Sequence, residues 1–153
     1  MDRADWLLLF LSNLGDSERR PRSLEPLRIM KGMFLASKRG AGELSGLYEF
    51  EAYDYGPFTK DIYHDLDELA AAGLVVQEAV AGRSWRTYRP TELGMARAQS
   101  LGEPAAAAAK ATLADAYQYV TSRGFLRLLR DIYAEFPEYA VNTVVRDAAP
   151  GAR

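Results

Sequence analysis

His64 is the chain's single histidine, and it lies among Asp61, Asp65 and Asp67. An imidazole titrates near neutrality, and neighbouring carboxylates can orient its proton or complete a divalent-ion site. The surrounding sequence offers no serine elbow, phosphate loop or second imidazole. His64 is therefore read as an exposed or interface residue, with no catalytic or metal role assigned. Cysteine is absent, which removes thiolate zinc sites, Cys nucleophiles and disulfides together. No cofactor is expected either: Gly40-Ala41-Gly42 lacks the strand and helix context in which glycines cradle phosphate.

Two other groupings are candidates for binding. Arginines gather at Arg19, Arg20 and Arg22 and again at Arg83, Arg86 and Arg89, where they suit phosphate contacts. The alternative for the second group is a charged hairpin edge that resists pairing with other chains. Residues 1–80 carry nine basic and fourteen acidic groups, whereas 81–153 carry ten and seven, so an anionic partner is expected on the later half. Tyr53, Tyr55, Phe58 and Tyr63 form an aromatic cluster suited either to core packing or to a partner.

At 153 residues, 48% apolar and 26% charged, the chain suits one globular domain with one core. We expect that domain to span 1–145, with 146–153 as a flexible tail. The apolar run from Trp6 to Leu11 is too short to span a membrane, and acidic Asp2 and Asp5 are wrong for an export signal. The cytoplasm is the default expectation. A net charge of −2 leaves nucleic-acid binding to a local basic patch.

Periodicity predicts helix one over Asp2 to Leu14, apolar on most faces, and helix two over Leu24 to Ser37 with Ser23 as a possible cap. Alternation from Gly46 to Gly56 predicts a short strand, and Pro57 suits the first turn of helix three, which ends at Ala72 before Gly73. Ile62, Leu66 and Leu69 form its buried stripe. Two β-prone flanks around Gly82 predict a hairpin. Helix four is placed over Thr91 to Leu101, helix five from Pro104 to a stop at Gly124, and helix six from Phe125 to Pro137. The end from Asn142 is expected to fray.

The resulting fold class is mainly α with a small β-hairpin, in the order of a winged helix-turn-helix extended by terminal helices. Helix three takes the recognition position and the hairpin is the wing. The run Asp65 to Val75 resembles the "L-x-x-L-x-x-x-G-L-V" end of such recognition helices, and Thr87 to Gly94 resembles the "Y-x-L-T-x-x-G" that follows many wings. Leu27 to Leu35 is similar to the "L-x-K-L-x-F-L" helix of the Panacea or SocA-type antitoxin domain and of YwgA-like bacterial proteins, departing from it at Gly32. Tyr53 to Leu66 resembles their "Y-G-P-x-S-x-x-V-Y-x-x-L" segment, and Tyr133 to Ala140 the "V-Y-x-x-Y-P-E-Y-A" ending of YwgA-like members. These segments span much of the chain from Leu24 to Asn142. The resemblance implies a non-enzymatic regulatory or partner-binding role.

Two functions follow. One is a DNA-binding transcriptional regulator using Arg19, Arg20, Arg22, Thr59, Lys60, Tyr63, His64, Arg83, Arg86 and Arg89. The other is an antitoxin-like or adaptor protein that contacts a protein partner, such as a toxin, through Tyr53, Tyr55, Phe58, Tyr63 and Asp67. Against the first, Lys60 is the one basic residue between Pro57 and Gly73, facing Asp61, Asp65, Asp67 and Glu68. Phosphate is repelled by such a helix. The acidic stripe is otherwise a solvated face or a protein-partner surface. The apolar surplus of helices one and five predicts a homodimer through them.

Overall fold

The structure is a computed structural model that describes residues 1–15, 18–101 and 106–150. Among these residues lie six α-helices and two separate two-stranded antiparallel sheets. Among the described residues, no helix is long and apolar enough to cross a membrane.

Helix α1 (Arg3–Leu11) starts on a reciprocal cap, in which Asp2 accepts from the Asp5 backbone and Asp5 accepts from that of Asp2. It stops earlier than predicted. Ser12 donates its hydroxyl to the Leu8 carbonyl and Asn13 its amide to those of Leu9 and Phe10, so the chain leaves the helix before Gly15.

Helix α2 (Pro26–Arg39) takes Glu25 as its N-cap, with Pro26 in the first turn; Ser23 instead bonds Glu78. Every residue from Ile29 to Ala36 is buried, which makes α2 the axis of the core. Gly32 is where the resemblance above breaks down, and its reason is packing. A Cβ there would lie 2.2 Å from the tip of the buried Phe10 ring.

The single strand expected between Gly46 and Gly56 is instead a 3-10 turn (Gly42–Gly46) followed by a small hairpin, β1 (Glu51–Tyr53) and β2 (Gly56–Phe58). Pro57 sits in β2, where a two-stranded ribbon does not need its N–H, and is not in a helix. Helix α3 (Lys60–Ala71) begins at Thr59, whose hydroxyl accepts from the Asp61 backbone. Ile62, Leu66 and Leu69 are buried as predicted, and Gly73 reverses the chain at φ +75°.

Strands β3 (Val75–Ala79) and β4 (Arg86–Pro90) form the predicted hairpin, from Val75 opposite Pro90 to Ala79 opposite Arg86. Leu24 pairs with Tyr88 through both backbone bonds at 2.9 Å, adding a bridge on the far side of β4. Helix α4 (Glu92–Ser100) is capped by Thr91, and α5 (Ala107–Thr121) lies along α2. The predicted start of helix five at Pro104 lies outside the described residues. Gly124 does not close α5 but precedes α6 (Phe125–Glu135) as its N-cap.

The segment from Asn142, expected to fray, is packed as far as Ala148. The Asn142 side chain donates to the Ala52 carbonyl, the Val144 backbone to that of Asp54, and Ala148 is buried beneath α6. Residues 151–153 of the expected tail lie outside the described set.

Trp6, Leu7, Leu8, Phe10 and Leu11 of α1 are buried against the chain's own α2, α3, α4 and α5, and Leu113, Ala116, Tyr117 and Val120 of α5 are buried likewise. The apolar faces from which a homodimer was expected are thus spent within the protomer.

Candidate functional site

The β1–β2 turn, the loop between β3 and β4, and the starts of α2, α3 and α6 surround a pocket of about 740 Å³. Its walls are aromatic: Tyr53, Tyr55, Phe58, Tyr63, Trp85 and Phe125 all line it. Tyr53 and Phe58 stand 4.8 Å apart between ring centres, Phe58 and Tyr63 6.2 Å, and Tyr55 and Phe125 6.3 Å. These contacts stop short of burial, since Tyr53, Tyr55, Tyr63 and Trp85 remain 48%, 42%, 38% and 46% exposed. Exposed aromatics gathered at one opening make a surface that gains by being covered.

Gly56 makes the floor possible. Its backbone has φ +90°, which L side chains rarely adopt, and a Cβ would sit 3.3 Å from Leu129 and 3.4 Å from Lys31 Cε. Lys31 lines the pocket from below, fully buried, and its Nζ has no hydrogen-bond partner among the described residues. Burial disfavours its charged form and lowers its pKa to about 7. Burial also raises Tyr63 above the ordinary tyrosine value.

A second constellation joins α1 to α3. Arg3 grips Asp65 with two hydrogen bonds, Nε to Oδ2 at 2.7 Å and Nη2 to Oδ1 at 3.0 Å, and reaches Asp61 at 3.2 Å. The Tyr48 hydroxyl donates to the same Asp65 oxygen, and the Arg3 guanidinium lies 4.9 Å from the Tyr48 ring centre. Asp65 hydrogen bonding raises the Arg3 pKa, and burial together with the Asp65 bond raises that of Tyr48. Asp65, expected on an exposed acidic stripe, is buried and paired with Arg3 here. His64 and Glu68 stay exposed, 3.2 Å apart. Their ligand atoms lie close to those of Asp65, but the Asp65 oxygens are already occupied by Arg3 and Tyr48.

The residues named for phosphate contact are scattered. Arg19 and Arg20 are exposed, but Arg22 pairs with Glu18 and donates to the Thr121 carbonyl at 3.2 Å. Thr59 is buried as a helix cap, and Arg89 donates to Glu78 at 2.9 Å. Hydrogen bonds from Arg89 and Ser23 hold the Glu78 carboxyl below its usual value. The Arg83 guanidinium stacks 5.0 Å from the Trp85 ring centre, and Lys60 and Arg86 are exposed.

Of the aromatic set, Tyr53, Tyr55, Phe58 and Tyr63 converge on the pocket, whereas Asp67 lies elsewhere on α3 and accepts from Gln77 at 3.4 Å. Residue-by-residue reading missed Lys31, Trp85 and Phe125. The signal for Lys31 was present: it is the single charge in the otherwise apolar run from Ile29 to Ala36. Neither a family model nor a curated protein matches the chain.

Proposed function

We propose that this protein is a non-enzymatic binding module of bacterial regulation, an adaptor or antitoxin-like protein that takes a protein partner on the face around Tyr53, Tyr55, Tyr63 and Trp85. The observation that carries this reading is the cluster of half-exposed aromatic side chains around one opening. Aromatics are the residue types that most often anchor protein interfaces, because they bring large area at low entropic cost. The motif resemblances at Leu27 to Leu35 and Tyr53 to Leu66 point the same way. Mechanistically, the fold holds the face rigid: Gly56 turns β1 into β2, Thr59 starts α3, and Asn142 and Val144 tie the hairpin to the C-terminal segment.

A second reading is a winged-helix DNA-binding regulator. It is favoured by the Leu24–Tyr88 bridge, which gives the β3–β4 hairpin the third strand position such domains use, and by exposed Arg19, Arg20 and Arg86. It is disfavoured by α3, whose outward side carries Asp61, Asp67 and Glu68 against one lysine, Lys60.

The test is a comparison of variants in affinity capture from the native host. A specific partner should be lost from a Tyr55→Ser, Trp85→Ser double variant and retained by an Arg19→Ala, Arg20→Ala, Arg86→Ala triple variant. Retention by the first and loss from the second would reverse the assignment.

A further inference from the structure

We infer that the pocket above Lys31 binds a small monocarboxylic acid with an aromatic or apolar body, its carboxylate pairing with the Lys31 amine. This goes beyond the partner-binding reading and does not rest on it. The first support is the amine itself. A fully buried lysine nitrogen without a partner among the described residues is an uncompensated polar group, and Lys31 is one of the residues that line the pocket. The second is Gly56, a lining residue that lies directly against the Lys31 stem, where a Cβ would stand 3.4 Å from Lys31 Cε. The third is size and lining: about 740 Å³ walled by aromatic rings matches a site for a small organic molecule.

Charge narrows the ligand class. The groups facing the pocket are Glu25 from the start of α2, Asp54 with Tyr53 and Tyr55 from the hairpin, Tyr63 from α3 and Arg83 from the wing loop, while Tyr133 of α6 packs beside Gly56. Glu25 is held by Arg28 at 2.7 Å, and Arg83 stacks on Trp85. One buried amine in a pocket that two acidic side chains also line suits a monoanion and opposes a dianion such as a phosphate monoester. A cation has no counter-charge at the floor. An uncharged acceptor satisfies one N–H but leaves the amine without the partner that would let it carry its charge. A carboxylate supplies both, and ring stacking on Tyr53, Phe58 or Trp85 holds the body.

Binding is therefore linked to proton uptake. Burial leaves the free amine half-neutral near pH 7, and a bound carboxylate favours the ammonium, so affinity should fall up to tenfold per pH unit above 7. Tyr63 and Tyr133 do not compete in that window, because burial raises both above the ordinary tyrosine value.

The experiment uses the full chain with 3-phenylpropionate and, as the uncharged control, 3-phenylpropan-1-ol, read by calorimetry and by tryptophan fluorescence, to which Trp6 and Trp85 both contribute. Expected are saturable binding of the acid, binding of the alcohol at least about tenfold weaker, and the stated loss of affinity above pH 7. In Lys31→Met, which keeps the volume with an apolar group, acid and alcohol should bind alike. The wild-type comparison needs no variant, so a folding defect does not obscure the result. Equal affinity for acid and alcohol, no saturation by the acid up to about 10 mM, or survival of the acid preference in Lys31→Met would each overturn the proposal. Failure here leaves the partner-capture experiment unaffected.

Discussion

At the scale of single residues, Asp65 and Lys31 are the buried acid and the buried base among the described residues, and the fold treats them differently. Asp65 is matched by Arg3 and Tyr48 through three hydrogen bonds. Lys31 has no such match, and its burial costs stability wherever the unfolded chain is protonated. The unfolded lysine keeps its proton up to the ordinary lysine range, while the folded one releases it at about 7. Between those values the unfolded state binds more protons, so stability should rise with pH. Urea titrations at pH 7, 8.5 and 10 should show Lys31→Met more stable than wild type at pH 7 by roughly 3–5 kcal/mol, with the gap closing as pH rises. A constant gap would contradict a buried, unpaired amine. Lys31 was legible as a lone charge in an apolar run, but not as a floor residue, because the Gly56 approach joins segments far apart in sequence. Asp65 was misread for the same reason: its partner Arg3 is 62 residues away.

At the scale of elements, helix stripes and turns were legible wherever local periodicity and capping decide them. Ile62, Leu66 and Leu69 on α3, the β3–β4 hairpin and Thr91 before α4 follow from residue types alone. The β1–β2 hairpin was not, since its strands are three residues each and Pro57 points equally to a helix start. Gly94 shows a motif residue acquiring its reason in three dimensions. A Cβ there would meet the Leu74 carbonyl oxygen at 1.9 Å, while the Gly94 N–H is taken by Thr91 at 3.0 Å. Since the obstacle is backbone, Gly94→Ala should lower stability by about 2–4 kcal/mol, seen as a fall in Tm of roughly 5–15 °C. Gly46→Ala, with nothing within 4 Å of the new methyl, should leave Tm within a few degrees. Equal effects at both positions would sink the steric account.

At the scale of the whole molecule, the protein spends its apolar helices inward and leaves Tyr53, Tyr55, Tyr63 and Trp85 half-exposed at one opening. Composition made a single core legible, and the surplus of α1 and α5 was visible too. That surplus is used by this chain itself, because α1 is enclosed by four other helices. Net charge and its division by halves did not foretell which arginines remain free, since Glu18 and Glu78 take Arg22 and Arg89 through folding. The central claim is that the aromatic face, and not the basic residues, does the binding. Titrating a fluorescent mixed-sequence 30-base-pair duplex with the protein at 50 and 200 mM salt tests it most directly. The account predicts no saturable change in polarisation at either salt up to about 10 µM protein. Tight binding at low salt that weakens steeply at high salt, and is lost in Arg83→Ala plus Arg86→Ala, would contradict it.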